Sequence, residues 1–166
     1  MPLTTLLLPE LRNELKATRT VLERLPARPE YTCHEKSMPL GKLAAHVAQL
    51  PSFGSNILTT PNYDFGVAKP ERLVFESPEQ VVAAFDKLAA QIESDLASTT
   101  DAALEETWAL TFNGHPIFSG TRFAAYRAMF LNHLIHHRAQ LGVYLRLLDV
   151  PVPATYGPSA DDRMGF

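Results

Sequence analysis

Leu7, Leu11, Leu15, Leu22 and Leu25 fall at helical intervals, with polar residues such as Arg12, Glu14 and Arg19 between them. This is the stripe of an amphipathic helix over residues 4–25, which Pro26 and Pro29 end. A second stripe, Leu43, His46, Leu50, Phe53 and Ile57, predicts a helix capped by Ser37 with Pro39 in its first turn. Pro51 lies inside it and predicts a kink just after His46. Residues 59–76 carry Pro61, Gly66 and Pro70 without helical period, and read as a long loop. Ser77-Pro78-Glu79-Gln80 supplies a cap, a first-turn proline and a capping-box glutamine. The stripe that follows is Val81, Phe85, Leu88, Ile92 and Leu96. From Thr107 to Phe118 the period falls to two around Asn113-Gly114, the signature of a hairpin with a type I′ turn and Pro116 on its edge. A fourth helix is predicted over residues 121–148, with Tyr126, Phe130, His133, His137, Leu141, Tyr144 and Leu148 on one face. The tail from Val150, rich in Pro and Gly, is irregular. The expected fold is all-α: one domain over residues 1–166, a four-helix bundle with a small β-hairpin between helices three and four.

Composition narrows the function classes. The chain has 166 residues, 46% hydrophobic and 20% charged, with a net charge of -3. That suits one ordinary globular core and leaves no basic footprint for nucleic acid. No apolar run is long enough for a membrane span, and the amino terminus lacks the basic region of a signal peptide. The single cysteine, Cys33, cannot form an intrachain disulfide and fits a reducing cytoplasm.

The chemistry lies in two of the stripes. His46, His133 and His137 occupy positions where aliphatic residues would ordinarily stand. Two imidazoles four residues apart point to one spot, and a third from another helix can complete a transition-metal site. Neutral imidazole suits zinc, nickel, iron or copper. No cysteine or carboxylate completes a fourth protein ligand on either stripe, which favours an open, reactive site over a closed structural one. The alternative is a metal-free bundle in which the three histidines are core residues. His136 lies about 100° around the helix from His137 and is expected behind the site or at the surface. His34 and His115 are expected at the surface.

Residues 131–162, LNHLIHHRAQLGVYLRLLDVPVPATYGPSADD, resemble the last helix and tail of DinB-like proteins. The segment His34-Glu35-Lys36-Ser37-Met38-Pro39-Leu40-Gly41, with Leu43, Ala44 and His46, resembles the second helix of that family. So does the hairpin from Trp108-Ala109-Leu110 to Gly114-His115-Pro116-Ile117-Phe118. The resemblance spans nearly the whole chain. It implies a four-helix bundle, often a homodimer, holding a divalent metal on His46, His133 and His137. Zinc and nickel are the metals it brings forward, with iron and manganese as further candidates. Relatives include bacillithiol S-transferases and the mycothiol-dependent maleylpyruvate isomerase, in which the metal activates a low-molecular-weight thiol. This chain departs from the pattern at Ala139, where Gly is common, and at Phe53, where Trp is frequent. The isomerase's additional C-terminal domain is not expected here.

Three functions follow as expectations. The first is a metal-dependent transferase acting on a small-molecule thiol and an electrophile, with Tyr63, Asn132, Arg138 or Gln140 orienting substrates. Arg138 points away from the ligands, and a salt bridge is its expected role. The second is a metal-dependent hydrolase, for which His34 or Asp64 would be the base. The third is a non-catalytic metal-binding stress protein. In a homodimer, the tryptophan and proline of the hairpin and the tyrosine of the tail offer interface material.

Overall fold

The first three apolar stripes of the sequence become buried faces of helices in the computed structural model, which describes residues 2–163. The elements are α1 (Thr4–Leu22), α2 (Leu40–Thr59), β1 (Asn62–Asp64), α3 (Pro78–Ser98), α4 (Asp101–Glu105), β2 (Thr107–Phe112), β3 (His115–Thr121), α5 (Arg122–Ala125) and α6 (Asn132–Leu147). A π-helical segment, Tyr126–Leu131, joins α5 to α6. The fold is mostly helical with a small three-stranded sheet. Helix α1 packs on α3 and α6, and α2 packs on the same two helices from the other side. Leu11, Leu22, Leu43, Ile57, Ile92 and Leu141 meet in the core between them. Among the described residues, no helix is long and apolar enough to cross a membrane.

Local chemistry sets most boundaries. At α3, Ser77 Oγ accepts the Gln80 amide at 3.2 Å and Pro78 starts the first turn. Gln80 Oε1 reaches back to the amide of Glu76 rather than that of Ser77. Ser37 does not cap α2. Pro39 occupies the cap position, and loop carbonyls serve the first amides instead: Leu40 N–H donates to Tyr31 O and Gly41 N–H to Pro29 O. That tight approach requires a glycine, because a Cβ at Gly41 would stand 2.6 Å from Pro29 Cβ. Helix α2 continues through Pro51 to Thr59.

The sheet is larger than a hairpin. Strands β2 and β3 pair antiparallel around Asn113 and Gly114, both with positive φ, as a type I′ turn demands. Pro116 lies on the edge strand β3, beside a register shift. Asn62–Asp64, inside the expected loop, adds a third strand parallel to β2. Three residues cannot announce a strand by alternation, and this one is held by Asp64, whose carboxylate reaches into the β2–β3 turn. Trp108 is fully buried beneath the sheet, so it belongs to the core and not to an interface.

The fourth helix is not continuous. Thr121 Oγ1 caps α5 through the Ala124 amide, and the π segment then interrupts the α-helix before α6 begins. Buried Arg122 staples this start to its neighbours. Its guanidinium donates to Thr60 O at the end of α2, to Ala103 O of α4 and to the Glu106 carboxylate.

Candidate metal centre

The π segment decides where the histidines of α6 point. The buried residues Arg122, Tyr126, Phe130, Leu134 and Arg138 succeed one another in steps of four. On a regular α-helix four such steps would drift about 160° around the axis. The wider π turn absorbs the drift and keeps them on the core face. The core face of α6 therefore runs through Leu134, Arg138, Leu141, Tyr144 and Leu145: it keeps Leu141 and Tyr144 of the stripe expected from sequence but takes Leu134 and Arg138 in place of His133 and His137. His133 and His137 move from the centre of that face to its flank and are half-buried, beside α2. His46 sits likewise on the flank of α2, next to the buried Ala45 and Val47.

The three imidazoles meet there. His46 Nε2 lies 3.3 Å from His133 Nε2, and His137 Nε2 lies 2.8 Å from the same atom. One ligand atom from each histidine falls within 4.8 Å of the others, a grouping able to hold a metal ion. The outer nitrogens are engaged on α6: His133 Nδ1 lies 3.3 Å from Met129 O, and His137 Nδ1 lies 2.6 Å from Gln140 Oε1. With Nδ1–H donating to these oxygens, both Nε2 lone pairs face the common point. Lone pairs held that close repel unless a cation lies between them. Imidazole–zinc bonds of about 2.0–2.1 Å, at tetrahedral or right angles, place neighbouring nitrogens about 2.9–3.4 Å apart, which is close to what these rings show. The donor set fits a divalent transition metal.

Electrostatics favour the neutral form of His46 and His133. Burial foremost, then the charges of the adjacent His137 and His133 rings, push the His46 pKa down to about 4. Burial also lowers His133, helped by His137. Neutral imidazole is the ligating form, so neither ring needs to lose a proton to bind metal near neutral pH.

The other candidate residues divide clearly. Gln140 touches a histidine of the cluster, and its amide nitrogen lies 3.1 Å from His136 Nε2, so His136 stands behind the site. Asp64 is committed elsewhere: it accepts from the amides of Gly66, Asn113 and Gly114 and from the Thr111 hydroxyl. Those bonds, the Gly114 amide foremost, hold its carboxyl well below the usual range, so it is no base for a hydrolase. Arg138 does point away from the ligands. It is buried against α1, where it pairs with Glu14 at 2.6 Å and meets the Tyr156 hydroxyl of the tail. Tyr63 packs edge-on against Phe53 and Phe65. His34, His115 and Asn132 are exposed. The sequence reading missed Glu14, which partners Arg138 on α1; a lone acid among the leucines of a buried stripe was the available signal.

The DinB family model matches residues 1–164 of the chain. None of the curated proteins compared with the chain matches it. Among solved structures, the chain is similar to a DinB-like protein from Bacillus cereus ATCC 10987, with a TM-score of 0.67 and 20% identity over 90% of this chain and 95% of that one. It is also similar to a DinB-like protein from Bacillus subtilis, with a TM-score of 0.64 and 18% identity over 95% of this chain and 98% of that one. At these identities the likeness speaks for the fold alone.

Proposed function

The chain belongs to the DinB family, and on that premise we propose that His46, His133 and His137 hold one divalent metal ion, zinc or nickel before iron or manganese, at the centre of a thiol-dependent transferase. The observation that carries the reading is the convergence of three Nε2 atoms from two helices, with the His137 and His133 Nδ1 atoms anchored behind them. Among the described residues three protein ligands converge, and the rings lie at the flank of the core, half-exposed, so a small molecule has an approach. When bound, such an ion supplies Lewis acidity, which favours the thiolate form of a sulfur nucleophile.

A thiol carries its own nucleophile and needs no protein base beside the site. A hydrolase does need one, and the carboxylate offered for that role, Asp64, is tied into the sheet. This contrast favours transfer over hydrolysis. The residues then have distinct roles. Histidines 133 and 137 present paired donors from one helix, His46 closes the set from α2, and burial keeps His46 neutral. The same reading takes a low-molecular-weight thiol and an electrophile as partners and a homodimer as the assembly.

Elemental mass spectrometry tests the centre, on protein purified without metal-affinity resin and beside the His133→Ala/His137→Ala double variant. Near-stoichiometric metal is expected in the wild type and its loss in the variant. A wild type that takes up no zinc, nickel, manganese or iron on reconstitution would sink the proposal. Metal-loaded protein should also consume a model electrophile only when thiol is added; turnover of esters without thiol would favour the hydrolase instead.

A further inference from the structure

Gln140 lies one turn beyond His137 on α6 and is exposed, a place where a polar side chain ordinarily faces only water. Its carboxamide is nonetheless engaged at both ends. The oxygen is 2.6 Å from His137 Nδ1, and the nitrogen is 3.1 Å from His136 Nε2. The two contacts are mutually consistent. An amide nitrogen can only donate, so His136 Nε2 accepts; an amide oxygen can only accept, so His137 Nδ1 carries the proton. With the amide turned this way, His136 Nε2 accepts from it and His137 carries its proton on Nδ1. The outcome is a His137 ring whose Nε2 lone pair is aimed at the other two imidazoles.

We propose that Gln140 is a positioning residue of the metal centre: its carboxamide, oriented by His136, holds His137 as the Nδ1–H tautomer with Nε2 presented for ligation. The inference rests on the three-histidine reading above and assigns Gln140 to the ligand, not to the substrate. The physical basis is general. A hydrogen bond to the far nitrogen of a ligating imidazole fixes the ring's orientation and raises its basicity, and removing such a partner costs metal affinity. His133 is served in the same manner by the Met129 carbonyl, but at 3.3 Å, so the shorter Gln140 contact is the better anchor of the two. A backbone carbonyl also survives any substitution, whereas the Gln140 contact depends on a side chain.

The test is a zinc titration in competition with a chromophoric chelator, on metal-stripped full-length wild type, Gln140→Leu and Gln140→Glu. Leucine keeps the bulk and loses the acceptor. Glutamate keeps an acceptor for Nδ1–H and strengthens it with charge. Gln140→Leu should bind zinc roughly 10–100-fold more weakly than wild type, and Gln140→Glu at least as tightly as wild type. The melting midpoints of the three metal-free proteins should agree, since the side chain is exposed. Equal zinc affinity in wild type and Gln140→Leu would overturn the inference and leave the three-histidine site standing. Equal losses in both variants would also overturn it, because a carboxylate would then fail to rescue. A wild type that binds no zinc would sink the inference together with the metal centre.

Discussion

At the scale of single residues, Asp64 shows how one carboxylate organises a sheet. Three backbone amides and one hydroxyl converge on it, at 2.7 Å from Gly66, 2.9 Å from Asn113, 2.8 Å from Gly114 and 2.8 Å from Thr111 Oγ1. The acceptor must be charged to serve so many donors well, and the bonds accordingly depress its pKa. A carboxyl whose folded pKa lies below its unfolded value contributes stability that is present above about pH 4 and is lost as pH falls through the folded value. Asp64→Asn removes the charge and turns an amide donor toward amide donors. The melting temperature of this variant should fall below that of wild type at pH 7, and the gap should narrow as the solution is acidified below about pH 4. A gap that stays constant down to pH 2 would show that the charge is not what holds the clasp. The same residue explains a misreading: an acid in a loop resembles a general base by sequence, and only the turn it grips reveals that every lone pair is occupied.

At the scale of elements, the π segment decides what the sequence could and could not disclose. Helices α1, α2 and α3 follow their stripes because an unbroken 3.6-residue period maps position to face without ambiguity. The fourth helix breaks that mapping at Tyr126–Leu131. Counting on past the break puts the histidines at the centre of the core and Arg138 outside it. The structure does the reverse, with Arg138 only 3% exposed and the histidines at the rim. The three-histidine grouping itself was legible, since two residues four apart stay neighbours whichever way the helix is turned. The third strand was not, because Asn62–Asp64 is shorter than any alternation it could display. The price of turning Arg138 inward is a buried charge, and Glu14 of α1 offsets it, with the Tyr156 and Thr18 hydroxyls beside the pair. Removing one partner of such a pair strands the other in the core. Arg138→Ala should therefore destabilise the protein by about 3–5 kcal/mol in urea denaturation. Glu14→Ala should do the same, and the double variant should cost less than the sum of the two. Additive losses would mean that the pair does not couple α1 to α6.

At the scale of the whole molecule, the candidate centre bridges parts of the chain that meet only when it is folded. His46 and His133 are separated by 87 positions and lie on α2 and α6, which face each other across the core. An ion held by all three rings is a cross-link between those helices, and the unfolded chain cannot offer the same arrangement. Binding to the native state alone adds stability of RT ln(1 + [L]/Kd), about 2.7 kcal/mol when free metal exceeds Kd by a hundredfold. For a chain of this length each kcal/mol moves the melting midpoint by about 2–4 °C, so zinc at that excess should raise it by about 5–10 °C. Calorimetry with zinc, and again after chelation, measures the shift and its reversal. The His133→Ala/His137→Ala variant retains His46 and every exposed histidine, so it controls for adventitious binding and should show no rise. A rise of equal size in the variant would place the stabilising metal elsewhere. A fall in the wild type would mean that the unfolded chain binds zinc more strongly than the folded one, and would overturn the cross-link.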